Sequence, residues 1–77
     1  MNVGAAVGET IRAIRVEKGL SQEVLSGLAD MGRSHLAMIE TGKKSANLNT
    51  VWKIACAFDM KPSDFIQQVE RRIAEYG

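Results

Sequence analysis

The sequence predicts an all-α fold of five helices, on three observations. Apolar residues recur at spacings of three and four along most of the chain, the spacing that lines one face of a helix. Gly, Asn, Asp and Pro stand between these segments at positions that suit helix ends. No run alternates apolar and polar residues with the period of two expected of a strand. The 77 residues are enough for one domain, taken as residues 1–77. A core of that size sits near the lower limit of independent stability, so support from a second subunit is expected.

In the first helix Val7, Ile11 and Ile14 share a face, and Gly19, after Lys18, supplies the left-handed residue that closes it. Ser21 is the N-cap of a second, short helix running to about Leu28 and held by Leu25. Its interior Ser26 and Gly27 are weak helix formers, so it depends on tertiary packing. Asp30, Met31 and Gly32 form the next break. A third helix spans Arg33 to about Thr41, with Leu36 and Ile39 inward and Gly42 at its end. After a polar loop, Lys43 to Ala46, Asn47 caps a fourth helix that turns Val51, Ile54, Ala55 and Phe58 inward. Asp59 to Lys61 break the chain again, and Pro62 suits the first position of a fifth helix ending at Tyr76, because its missing amide hydrogen would have been unpaired there. No internal repeat or interdomain linker stands out.

Apolar residues make up 45% of the chain and charged residues 25%, with a single Pro, which favours a folded domain over a disordered one. No stretch approaches the roughly 20 apolar residues that span a bilayer. No cationic start followed by an apolar run reads as a secretory signal, so a cytoplasmic location without membrane association is expected. Cys56, the one cysteine, is expected as a buried thiol. One Cys and one His make no zinc set, and neither metal nor cofactor is expected. The absence of a carboxylate pair, nucleophile–base set or Gly-rich phosphate loop argues against an enzyme. The net charge is only +1, but it is unevenly spread. Residues 1–30 carry three basic and four acidic groups, residues 31–58 four and one, and residues 59–77 three and four. The positive middle third can meet phosphates although the whole chain is nearly neutral.

The spacing of several residues along the chain carries a family resemblance. The segments Arg15-Val16-Glu17-Lys18-Gly19-Leu20-Ser21-Gln22 and Leu36-Ala37-Met38-Ile39-Glu40-Thr41-Gly42, followed by Leu48 and Val51 to Phe58, resemble the Cro and phage-repressor type (Xre-like) helix-turn-helix family over residues 7–66. Restriction-modification controller proteins of that family are similar in being little more than the helix-turn-helix and a further helix. The resemblance implies a lambda-repressor-like helix-turn-helix domain, with the third helix as the recognition helix. It also implies an ion pair between Arg15 and Glu40. The chain departs from the family pattern at Ser26, usually Ala, at Asp30, usually Gly, and at Ala46, often Pro.

The expected DNA-binding residues are Gln22, Arg33, Ser34, His35, Met38, Lys43 and Lys44. Gln22, in the first turn of the second helix, is placed to clamp a phosphate, as that position does in similar proteins. Arg33, Ser34 and His35 begin the helix that enters the major groove. The planar fork of Arg33 matches the O6 and N7 acceptors of guanine, and His35 should project toward a base edge or phosphate. Met38 either meets a thymine methyl or is simply exposed. Lys43 and Lys44 suit phosphates rather than bases. Trp52 lies beside the inward stripe of its helix, which leaves both partner contact and packing on the fifth helix open.

The fifth helix, residues 62–76, is the expected dimerisation element, through Phe65, Ile66, Val69, Ile73 and Tyr76. Phe65 and Ile66 should also reach the chain's own core, whereas Val69, Ile73 and Tyr76 need another surface. Folding back onto the first helix beside Val7 is the other arrangement. The function implied is a sequence-specific regulator of transcription. It would bind double-stranded DNA as a homodimer on a pseudo-palindromic operator, and occlude a promoter or contact RNA polymerase. The alternative is an antitoxin-type module whose main partner is a toxin and whose DNA binding serves autoregulation.

Overall fold

Four helix ends in this protein close with one and the same hydrogen-bonding device. The computed structural model describes residues 1–76, so Gly77, the last residue of the expected domain, lies outside the described residues. The helices are α1 (Val3–Glu17), α2 (Gln22–Leu28), α3 (Arg33–Glu40), α4 (Leu48–Ala57) and α5 (Pro62–Tyr76). There is no strand among the described residues. None of the helices is long and apolar enough to cross a membrane.

Side-chain oxygens start three of them. Asn2 accepts from the Ala5 N–H at 2.7 Å, Ser21 from Val24 at 3.0 Å and Asn47 from Thr50 at 2.8 Å. Each of these bonds satisfies an amide that has no partner within the helix. Pro62 opens α5 and needs no partner for an amide it lacks. At the far ends of α1, α2, α3 and α4, a residue with positive φ reverses the chain while two amide groups bond back into the last turn. The residue is Gly19 (φ 71) after α1 and Gly42 (φ 78) after α3, but Asp30 (φ 52) after α2 and Asp59 (φ 58) after α4. Asp is among the few non-Gly residues that enter this region at modest cost, which is why the unusual Asp30 still makes the turn.

The two Asp turns are alike in detail. Asp30 and Met31 donate to the carbonyls of Gly27 and Ser26 at 3.2 and 2.9 Å, and Asp59 and Met60 donate to those of Cys56 and Ala55 at 2.9 Å each. Leu25, Ala29 and Leu36 around the first turn are buried, as are Ile54, Phe58 and Phe65 around the second. The chain thus makes the same turn between helices twice, a repetition too short and too divergent to stand out in the sequence.

One core joins all five helices. It contains Ala6, Val7, Ile11 and Ile14 of α1, with Leu25, Leu36, Ile39, Val51, Ile54, Phe58, Phe65 and Val69 from the others. Each large side chain removed from water here contributes roughly 1.5–3 kcal/mol before entropy is charged. Helix α1 is central, packing on both α3 and α5. Gly8 permits the first contact: a Cβ on it would run into the Ile39 carbonyl oxygen and stand 3.0 Å from that of Glu40.

Two expectations about burial need correction. Cys56 is exposed, not buried. The buried positions of α4 are Thr50, Val51, Ile54 and Ala55, and helical periodicity places Cys56 on the far side whatever its side chain prefers. In α5, Phe65 and Val69 are 0% and 3% exposed and lie in the chain's own core, with Ile73 packed at its edge. Phe65 and Val69 are not open to a second copy, and α5 folds back onto α1 through them, whereas Tyr76 at its far end is 65% exposed. Ile66, expected to reach the core, is instead 42% exposed.

Candidate nucleic-acid interface

Helices α2 and α3 pack on each other and are locked to α1 by one buried polar group. Glu40, in the last turn of α3, is buried, and its side chain is only 2% exposed. A lone carboxylate there would be costly to desolvate. Arg15 of α1 meets it side-on, Nε donating to Oε2 at 2.7 Å and Nη2 to Oε1 at 3.0 Å. The remaining guanidinium arm, Nη1, donates to the Leu20 carbonyl at 2.9 Å and so fixes the segment leading into α2. Hydrogen bonding to Glu40 raises the Arg15 pKa above its ordinary value against the opposing effect of burial, and the charge of Glu40 adds to the rise. The ion pair that the sequence resemblance implied is therefore a two-pronged clamp between α1 and α3.

Glu40 is also the sole acidic residue between positions 31 and 58. Its charge is matched by Arg15 inside the protein, and it pairs with none of Arg33, Lys43 and Lys44. All three are exposed. The ion pairs among the described residues are Arg15–Glu40 and Arg72–Glu9, and neither engages them.

The first turn of α3 presents Arg33 and Ser34 to solvent and leaves His35 half-buried. Its N-cap is Gly32, which offers no capping side chain, so the end of the helix stays open. The inner side of the same helix is anchored by Leu36 and Ile39, both 0% exposed. Met38 is half-buried, and its carbonyl accepts from the amides of both Lys43 and Lys44 at 2.9 and 3.2 Å. Those bonds tie the lysine loop to the end of α3, while both ammonium groups stay on flexible stems.

Gln22 differs from what its position suggested. It is half-buried, and its Nε2 donates to Glu40 Oε1 at 3.1 Å. The sequence reading expected its amide to clamp a phosphate; one of its two N–H groups is used inside the protein. The departures at Ser26 and Ala46 are accommodated. Ser26 is 4% exposed and turns its hydroxyl back to the Glu23 carbonyl at 3.1 Å, while Ala46 packs at the edge of the core. A helix-turn-helix family profile matches residues 11–65, more than half of the chain. The chain belongs to the Xre-like helix-turn-helix family.

Among relatives, the control protein C.BamHI of Bacillus amyloliquefaciens is 32% identical over 66 residues, covering 84% of this chain and 82% of that protein. The crystal structure of the restriction-modification controller protein C.AhdI from Aeromonas hydrophila is 34% identical. It superposes with a TM-score of 0.77 over 80% of this chain and 94% of that one. The controller protein C.Esp1396I, in its tetramer with a natural 35 base-pair operator, has the same fold. Its TM-score is 0.89 at 22% identity, over 96% of this chain and 97% of that one.

Within this helix-turn-helix protein a second surface lies away from Arg33. Leu48 and Trp52 of α4, 68% and 53% exposed, line a shallow apolar groove with Pro62 and Ile66 of α5. Trp52 is thus a wall shared by α4 and α5, its ring largely open to solvent. Among the described residues no group of three or more His, Cys, Asp and Glu is placed to hold a metal ion. The sequence signal for the groove was present in Leu48 and Trp52, which stand off the inward stripe of α4. Its second wall, Ile66, was expected both in the dimer interface and in the core, the latter because it lies in the first turns of α5.

Proposed function

We propose that this protein is a sequence-specific, double-stranded DNA-binding regulator of transcription, of the restriction-modification controller type, that acts as a homodimer on a pseudo-palindromic operator. The observation that carries this reading is the open first turn of α3. Arg33 and Ser34 are exposed there on a helix whose opposite face is held by buried Leu36 and Ile39 and by the Arg15–Glu40 clamp. A rigid helix with an exposed, cationic N-terminal turn is the form that reads base edges in the major groove. Arg33 supplies the base-reading fork, Ser34, His35 and Met38 the neighbouring contacts, and Gln22, Lys43 and Lys44 the phosphate contacts.

The homodimer is supported by the groove between α4 and α5. Contiguous exposed Leu48, Trp52 and Ile66 make an apolar surface that a small protein seldom leaves bare. A two-fold pair also places two recognition helices one DNA turn apart, about 34 Å, so that each reads half of the site. The relation to C.BamHI and C.AhdI favours the controller type over the antitoxin reading. Selecting bound fragments from a random duplex DNA pool tests the proposal. Enrichment of a motif with two inverted half-sites is expected, and a pool that stays unenriched overturns it.

A further inference from the structure

The bond between Gln22 and Glu40 has a chemical direction that the clamp does not need. A carboxylate can only accept hydrogen bonds, so the group Gln22 turns toward Glu40 must be its NH2 end, and the carboxamide cannot be flipped without setting oxygen against oxygen. Arg15 holds both oxygens of the same carboxylate, at 2.7 and 3.0 Å, so Glu40 itself is fixed before Gln22 meets it. The carboxamide is planar. With one N–H committed at 3.1 Å, the other is confined to the directions that rotation about that bond allows. Gln22 is the first residue of α2. Arg15 fixes the chain just before it through the Leu20 carbonyl.

We propose that Glu40 is a positioning residue for phosphate binding. It holds the carboxamide of Gln22 in one orientation so that the second N–H is presented, already ordered, to a DNA phosphate. The inference rests on the DNA-binding reading above and assigns Glu40 a role beyond stability. A side chain ordered in advance loses less rotamer freedom when the phosphate arrives, so the gain falls on binding and not on folding.

The test is a double-mutant cycle on duplex DNA carrying the selected operator, with Gln22→Ala, Glu40→Gln and the double variant titrated across salt concentrations. Thermal unfolding confirms that each variant is folded at the assay temperature. Gln22→Ala should weaken binding about tenfold at every salt concentration and leave the salt slope unchanged, because a neutral carboxamide displaces no counterion from the DNA. Glu40→Gln should weaken binding in the parent protein yet add little in the Gln22→Ala background. Losses that simply multiply, or a Gln22→Ala variant that binds like the parent, overturn the positioning role. A parent protein that binds no duplex DNA overturns the DNA-binding reading itself, a distinct failure.

The unmutated protein provides a second measurement, independent of how the variants fold. In nuclear magnetic resonance the side-chain NH2 of Gln22 should be ordered before DNA is added, unlike that of exposed Gln67. Equal mobility of the two side chains overturns the proposal.

Discussion

Gly8 of α1 lies against the Ile39 carbonyl at the end of α3 so closely that a methyl group has no room between them. The obstacle is backbone, which cannot rotate aside. In a helix interior, Gly→Ala ordinarily stabilises by about 0.5–1 kcal/mol. Here overpacking, at about 1–3 kcal/mol, opposes that gain and should exceed it. Gly8→Ala should therefore lower the thermal unfolding midpoint. Gly27→Ala in α2, where an added Cβ meets nothing within 4 Å, should leave it unchanged or raise it. A stabilised Gly8→Ala variant would show that α1 and α3 can separate without loss.

Removing Glu40 should be costly for a different reason. Glu40→Ala leaves Arg15, with a side chain 13% exposed, facing a cavity in place of a carboxylate. Breaking a buried pair in this way costs about 3–5 kcal/mol. A domain of this length has only about 4–12 kcal/mol to lose. The expected fall in midpoint is more than about ten degrees, read by thermal unfolding followed by circular dichroism. An unchanged midpoint would mean that the pair is solvated and adds nothing.

Local features were legible in the sequence because their causes are local. Ser21, Asn47, Gly19, Gly42 and Pro62 mark helix ends through backbone geometry and amide satisfaction, and each stands where the sequence reading placed it. Val7, Ile11 and Ile14 marked the inner face of α1 by spacing alone. The contacts that were missed join elements distant in the chain. Gly8 against Ile39 and Gln22 against Glu40 depend on how closely two helices approach, which no periodicity encodes. Val69 was assigned outward because α5 was expected to overrun the core, whereas α1 is long enough to cover it. Arg33 was legible as a candidate from its place at the start of the third helix, and Lys43 and Lys44 from the loop that follows it. The Arg15–Glu40 pair was implied by the resemblance, and the fold adds how deeply Glu40 is buried.

Arg33 and Lys43 should differ in what their loss does to DNA binding. A bidentate contact to guanine discriminates between bases, so Arg33→Ala should cost about 1–3 kcal/mol on the preferred operator and relax selectivity at one position. Lys43 sits on a loop as a point charge, so Lys43→Ala should weaken all sequences alike and lower the salt slope by about one. Titrations on operator and random duplexes at several salt concentrations separate the two. Equal losses for Arg33→Ala on both duplexes would remove it as a base reader.

The dimer surface predicted from the structure is the α4–α5 groove, and it can be separated from the core by choice of residue. Ile66 and Trp52 are 42% and 53% exposed, so Ile66→Asp or Trp52→Asp places a charge where water already reaches and should leave the fold intact. Ile73 packs at the edge of the core, and Ile73→Asp should reduce stability before it reports on association. If the groove joins two copies, the parent chain sediments as a dimer at tens of micromolar, while Ile66→Asp and Trp52→Asp sediment as folded monomers of parent helicity. Operator affinity should then fall steeply, because two half-sites no longer bind as one unit and the gain in effective concentration is lost. Affinity for an isolated half-site should stay near that of the parent, since Arg33 and Lys43 are untouched. A parent chain that remains monomeric at that concentration, or an Ile66→Asp variant that still dimerises, places the interface elsewhere.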